Sequence, residues 1–276
     1  MRKTIFIILS VLGICAFSSC NEHKRPTIDE ELSQPTTEEL SQPTIEEPSQ
    51  PTTDGPSQPV TDIDGNVYKT VKLGNQVWMA ENLRTSRYAD GTTIPLGTTE
   101  SFDDAYRYYP DDNSANVSDY GYLYNWAAVM KGSASSEANP SGVQGICPDG
   151  WHVPSDAEWI QLTNYVSSQS QYVCGGDEDY IYIAKALASE EGWNSSTDNC
   201  AVGNNPDANN ATGFSARPAG YYSGSSNYFG STAYFWSATQ INSGVAFYRY
   251  LTYTNAGVAR YLSYKNYGYS VRCVRN

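Results

Sequence analysis

Six cysteines, two histidines and 30 carboxylates are the residues of this 276-residue chain best equipped for chemistry. The cysteines are Cys15, Cys20, Cys147, Cys174, Cys200 and Cys273, and no two form a Cys-x-x-Cys pair, so a tetrahedral zinc site is not expected. Of the histidines, His23 falls in a polar stretch, and His152 stands beside Trp151 just before a helix-capping segment. That position reads as structural, not as a general base. No nucleophile–histidine pairing is suggested by position, and no glycine-rich loop has phosphate-binding spacing. Asp62-x-Asp64-Gly65-Asn66 opens like a calcium loop, but the later ligands at loop spacing are missing. The carboxylates offer many pairs for glycosidase chemistry, yet sequence does not give their separation. The expectation is therefore a non-enzyme with no catalytic residue, metal or cofactor, a hydrolase being a distant third reading.

Cys20 has chemistry of a different kind. Met1-Arg2-Lys3 precedes an apolar run from Ile5 to Phe17, broken only by Ser10 and Gly13 and ending in Ala16-Phe17-Ser18-Ser19-Cys20. A charged start, a short apolar middle and small residues at the end describe a secretory signal, not a membrane span. The end resembles the lipobox of bacterial lipoproteins, which implies cleavage before Cys20 and acylation of its thiol. Each buried CH₂ of such chains stabilises attachment by ~0.8 kcal/mol. The expectation is an exported, lipid-anchored protein at the outer membrane and cell surface, with residues 1–19 as signal peptide. An oxidising compartment and the four cysteines beyond Cys20 then suggest two disulfides, in any of three pairings.

A stalk follows. From Glu30 to Asp62, Ser-Gln-Pro recurs every eight residues, at Ser33, Ser41, Ser49 and Ser57. The stretch lacks aromatic residues and has few apolar ones, so it cannot bury enough surface to offset its ordering entropy. Residues 20–60 read as a disordered, proline-stiffened spacer reaching on the order of 100 Å. Nine acids lie between Asn21 and Val60, leaving 21 acids against 13 lysines and arginines from Thr61 on. That balance, within a net charge of −13, argues against nucleic acid and anionic lipid as partners.

Residues 61–276 hold all 6 Trp and all 23 Tyr, enough for one domain with a substantial core. Asp64-Gly65-Asn66 signals a hairpin turn before the alternating segment Val67 to Leu73. Ser155 and Glu158 form a capping box ahead of the stripe Trp159, Leu162, Val166. A second helix is expected from Asp179 to Glu190, stopped by Gly192. Beyond Phe235, the runs Val245 to Tyr253, Val258 to Tyr264 and Tyr269 to Val274 read as an antiparallel meander. The fold class is α+β, two helices beside an antiparallel sheet.

Aromatic residues carry the binding expectation. Tyr221, Tyr222, Tyr228, Phe229 and Tyr234 are interleaved with Gly and Ser, a mixture that gives wide, rigid contact at low entropic cost. Tyr222 and Tyr228 are the expected contact residues for a glycan or protein ligand. In the meander Tyr248 and Tyr250 share one face and Phe247, Arg249 and Leu251 the other, so one row should lie outside. The alternative is a structural or assembly component of the envelope or an appendage.

Seven segments together resemble the Fibrobacter succinogenes major paralogous domain family. They are Asp64-Gly65-Asn66-x-Tyr68, Gln76 to Leu83, Gly121 to Trp126, Cys147 to Ser155, Gly213-Phe214-Ser215-Ala216, Phe235 to Thr239, and Ser270 to Val274. The resemblance covers 61–276 and implies a C-type-lectin-like fold on a cell-surface lipoprotein. It also implies a bridge from the region before the first helix to the last strand, Cys147 with Cys273, leaving Cys174 with Cys200 as a local clasp. Gly150 to Trp159 is similar to a segment of the formylglycine-generating enzymes, but the chain has only Cys273 where they carry a cysteine pair. Asn205-Pro206-Asp207 echoes the calcium loop of sugar-binding C-type lectins, while Trp236-Ser237-Ala238 lacks their ligating side chains.

Overall fold

The computed structural model describes residues 54–176 and 182–276. The signal segment, Cys20 and the stalk as far as residue 53 lie outside the described residues. The fold starts inside the repeat, with the fourth octad, Asp54 to Thr61, supplying strand β1 (Gly55–Thr61). Residues 55–60, expected to belong to the spacer, are instead part of this strand. Proline argues against a strand because it has no N–H for the ladder, but β1 is the edge of its sheet, where that loss is tolerated. Pro59 also falls in a register shift between Ser57 and Val60. Asp54 fastens the start: its carboxylate accepts from Tyr165 Oη at 2.7 Å, Tyr172 Oη at 2.8 Å and the Gly74 amide at 3.1 Å.

β1 pairs with β2 (Val67–Leu73) across the expected turn. β2 pairs in turn with β3 (Gln76–Met79). Short elements follow: β4 (Arg107–Tyr108), α1 (Val117–Tyr120), β5 (Leu123–Tyr124), α2 (Trp126–Met130) and β6 (Trp151–His152). Helix α3 (Asp156–Ser168) carries the full capping box, and Trp159, Leu162 and Val166 are buried as their spacing predicts. Trp159 packs on Trp78 with ring centroids 4.6 Å apart.

The second helix is much shorter than expected. Residues 177–181 are outside the described set, and α4 covers only Ala184–Leu187. Tertiary partners claim the flanking backbone. Ala184 N donates to Ala256, and Ala188 is extended in a parallel bridge to Ala216. Local propensity gives way to these long-range bonds.

After the ladder of β7 (Tyr221–Tyr222) with β8 (Ser226–Asn227), the meander forms as β9 (Thr232–Asn242), β10 (Val245–Thr252) and β11 (Ala259–Tyr264), in the order β11-β10-β9. Tyr269 to Val274 was expected to extend it and does not. Ser270 bridges Phe235 in parallel, and the chain then crosses the core to end in β12 (Val274–Arg275), between β3 and β6. Arg272, fully buried on this crossing, binds Asn82 Oδ1 and the carbonyls of Met79, Phe214 and Ser215. Those bonds satisfy a charge that would otherwise be costly to bury. The domain is thus α+β but mostly β, with four short helices among the described residues. The described residues contain no helix long and apolar enough to cross a membrane.

Candidate binding site

Strand alternation sorts the aromatic residues of β9 and β10 onto two faces. Phe235, Arg249 and Leu251 turn toward α3 and are buried, with Arg249 Nη1 2.6 Å from Asp156 Oδ1. The opposite row, Tyr234, Trp236, Tyr248 and Tyr250, turns toward the crossing segment, where Tyr269 meets it. Tyr269 lies 4.5 Å from Trp236 and 5.0 Å from both Tyr234 and Tyr248, centroid to centroid. Its hydroxyl is 2.7 Å from Ser263 Oγ. Neither row is therefore simply outside: one lies under a helix, and Tyr234 and Tyr248 of the other line a cleft.

That cleft encloses about 570 Å³, within the range of small-ligand sites. Tyr234, Tyr248 and Tyr269 form its floor, and Tyr221, Tyr228, Tyr261, Tyr264 and Tyr267 form its walls. Among the described residues, the other lining side chains are Val245, Leu262 and Ser263, so none is charged. Burial pushes the Tyr234 phenol up to about 12 and those of Tyr248 and Tyr269 higher still. All three stay protonated at neutral pH, each able to donate one hydrogen bond and to accept.

Tyr228, one of the two expected contact residues, lies on the cleft wall. It is 60 % exposed, stacks on Tyr221 at 5.8 Å, and has φ of 57°, a left-handed conformation rare for a bulky residue. Ser231 N and Thr232 N both donate to its carbonyl and hold that turn. Gly220 is needed beneath it: φ is +66°, and a Cβ there would lie 2.1 Å from the Asn227 carbonyl oxygen. Tyr222, the other expected contact residue, is corrected by its burial. It points away from the cleft and stacks face to face on Tyr108 at 3.9 Å. β7 is a strand, so Tyr221 and Tyr222 face opposite ways, and the cleft takes Tyr221. Tyr261, Tyr264, Tyr267 and Tyr269 were not singled out, although eleven of the 23 tyrosines between Tyr221 and Tyr269 were a visible signal.

The other candidate residues lie elsewhere. Disulfides join Cys147 to Cys273 and Cys174 to Cys200, the pairing implied by the family resemblance. Cys20 is outside the described residues. His152 is buried, with Nε2 2.6 Å from Glu158 Oε1 and Nδ1 2.6 Å from Asn276 Oδ1. The Asp62 carboxylate accepts from the amides of Asp64 and Asn66, from Asn66 Nδ2 and from Tyr68 Oη, so the turn closes on itself. Among the described residues no group of three or more His, Cys, Asp or Glu side chains converges as metal ligands.

The family model of the Fibrobacter succinogenes major domain matches residues 71–275. The chain belongs to that family. Neither the curated proteins nor the solved structures compared with it give a match. The matched region of this Fibrobacter succinogenes major domain takes in the whole tyrosine cleft and both disulfides, and begins within β2, after the strand formed by the last repeat.

Proposed function

We propose that the chain is an exported lipoprotein, acylated at Cys20 and displayed at the outer membrane, whose C-type-lectin-like domain binds a glycan or protein ligand in the tyrosine cleft. The observation that carries the binding role is the uncharged, eight-tyrosine cleft with Tyr228, Tyr261 and Tyr264 exposed at its walls. Solvent-exposed rings beside a concave surface serve recognition and contribute little to the core. The anchor rests on the signal and the small residues before Cys20. The lectin-like reading draws support from β12 lying beside β3 and from the Cys147–Cys273 bridge that ties it down. No part of the reading requires catalysis.

Two experiments test it. Cys20→Ala should abolish labelling by a fatty-acid probe and release the protein from membranes; continued labelling of that variant sinks the anchor. Alanine at Tyr228, Tyr261 and Tyr264 together should remove binding to the producing organism's surroundings while the near-ultraviolet dichroism of the fold persists. A second reading, assembly of copies through β11, has one observation in its favour: β11 is a sheet edge bearing exposed Tyr261, Leu262 and Tyr264. A stable oligomer by light scattering, lost in that same triple variant, would favour it.

A further inference from the structure

Resting on the cleft as the binding site, we propose that its ligand is a neutral glycan, held through the ring faces of Tyr228, Tyr261 and Tyr264 without a bridging metal ion. Charge is the first discriminator. An ionised ligand entering the cleft would lose part of its water and meet no opposite charge among the lining residues, which disfavours it. A carboxylate does act on the rim: Glu100, held by Asn266 Nδ2 at 2.7 Å, adds to the burial that raises the Tyr267 phenol. It repels acidic sugars in particular.

Hydrogen-bond chemistry is the second. The polar groups of the cleft are hydroxyls, Ser263 and the tyrosines, and each can both donate and accept. Sugar hydroxyls have the same two-way character, so pairs form in whichever direction the ligand presents. Peptide amides and carbonyls are fixed donors and acceptors, and an extended peptide gains most where an open backbone edge matches them in register. The third is shape. Tyr228, Tyr261 and Tyr264 are 60, 64 and 57 % exposed. The negative face of an aromatic ring attracts polarised C–H groups, and a pyranose face that carries only axial C–H bonds supplies them. A cleft of about 570 Å³ has the capacity of a small-ligand site, enough for a short oligosaccharide and too little to take in a folded protein.

The test measures binding of the full chain, in mild detergent, to neutral cello-, xylo-, manno- and chito-oligosaccharides, with polygalacturonate and an extended-peptide library as contrasts. At least one neutral probe should bind in the presence of a calcium chelator. The Y228A/Y261A/Y264A variant should lose about tenfold or more in affinity, and the corresponding triple phenylalanine variant, which keeps the ring faces, should lose less. If only polygalacturonate or peptides bind, and the alanine variant abolishes it, the neutral-glycan assignment is overturned and the cleft stands. If a neutral probe binds the alanine variant as tightly as the parent, the cleft itself is overturned. Failure of every neutral probe at millimolar concentration, or loss of binding on chelation, also overturns the proposal.

Discussion

Replacing Asp54 by alanine removes the group that fastens the last repeat to the domain. The side chain accepts three hydrogen bonds, from Tyr165, Tyr172 and the Gly74 amide. A bond to a charged acceptor contributes ~1.5–3 kcal/mol when buried and ~1 kcal/mol or less when solvent reaches it. Asp54 is half-buried, and three bonds toward the low end of that range sum to ~2–3 kcal/mol. For a domain of this size each kcal/mol moves Tm by about 2–4 °C, so the variant should melt roughly 5–10 °C lower. Thermal unfolding followed by near-ultraviolet dichroism, where the tyrosines report packing, gives the number. Tyr165→Phe with Tyr172→Phe removes two of the three bonds and should produce most of that drop, and adding Asp54→Ala to that pair should cost only the remaining bond from the Gly74 amide. Deletion through residue 53 should leave Tm unchanged. A parent-like Tm for Asp54→Ala, or a large drop on deletion through 53, would refute the placement of the boundary at Asp54.

The His152 pair gives a pH dependence. Burial opposes the charge on the ring, but the hydrogen bonds to Glu158 and Asn276 outweigh it, and the pKa lies above 6.5. The folded state therefore holds the proton more tightly, so this stabilisation is complete below 6.5 and is lost as pH rises through the folded value. Urea titrations across that window should show the decline, and His152→Gln should flatten it. Gly220→Ala should destabilise the domain by ~2 kcal/mol or more through its left-handed φ and the contact with Asn227, seen as a lower urea midpoint; an unchanged midpoint would show that the β7–β8 hairpin yields freely. Removing the Cys147–Cys273 bridge, which spans 126 residues, should cost ~4–5 kcal/mol, against ~3–4 kcal/mol for Cys174–Cys200. Non-reducing peptide mapping followed by unfolding of each serine pair checks both the pairing and the order.

What could be read from the sequence was what depends on near neighbours. Ser155 and Glu158 are three residues apart, and their capping box and buried stripe formed as written. The meander was legible up to Tyr264 because turns separate its alternating runs. The failures share one cause, a distant partner. Tyr222 is core only because Tyr108 stacks on it. The helix expected from Asp179 shrinks to Ala184–Leu187 because Ala256 and Ala216 take its flanking backbone. Tyr269 to Val274 leaves the meander because Phe235 and the carbonyls around Arg272 draw it across the core. The tyrosines of β11 and the crossing segment were counted in composition, yet only the folded register shows that they line one cleft with Tyr228.

The last octad differs from its predecessors in ways that matter for descent. Where Glu31, Glu39 and Glu47 stand in the earlier units it has Gly55, whose φ is +142°, a conformation side chains rarely adopt. Where Thr36, Thr44 and Thr52 stand it has Val60, which packs on the core. The earlier units are near-copies of one another in sequence, and tandem near-copies are prone to gain or lose whole units by misaligned recombination. Each event changes the repeat stretch by eight residues and leaves the reading frame and the strand at Gly55–Thr61 untouched. Repeat number and integrity of the fold are thereby inherited as separate traits, and the fourth octad, from Asp54, belongs to the fold.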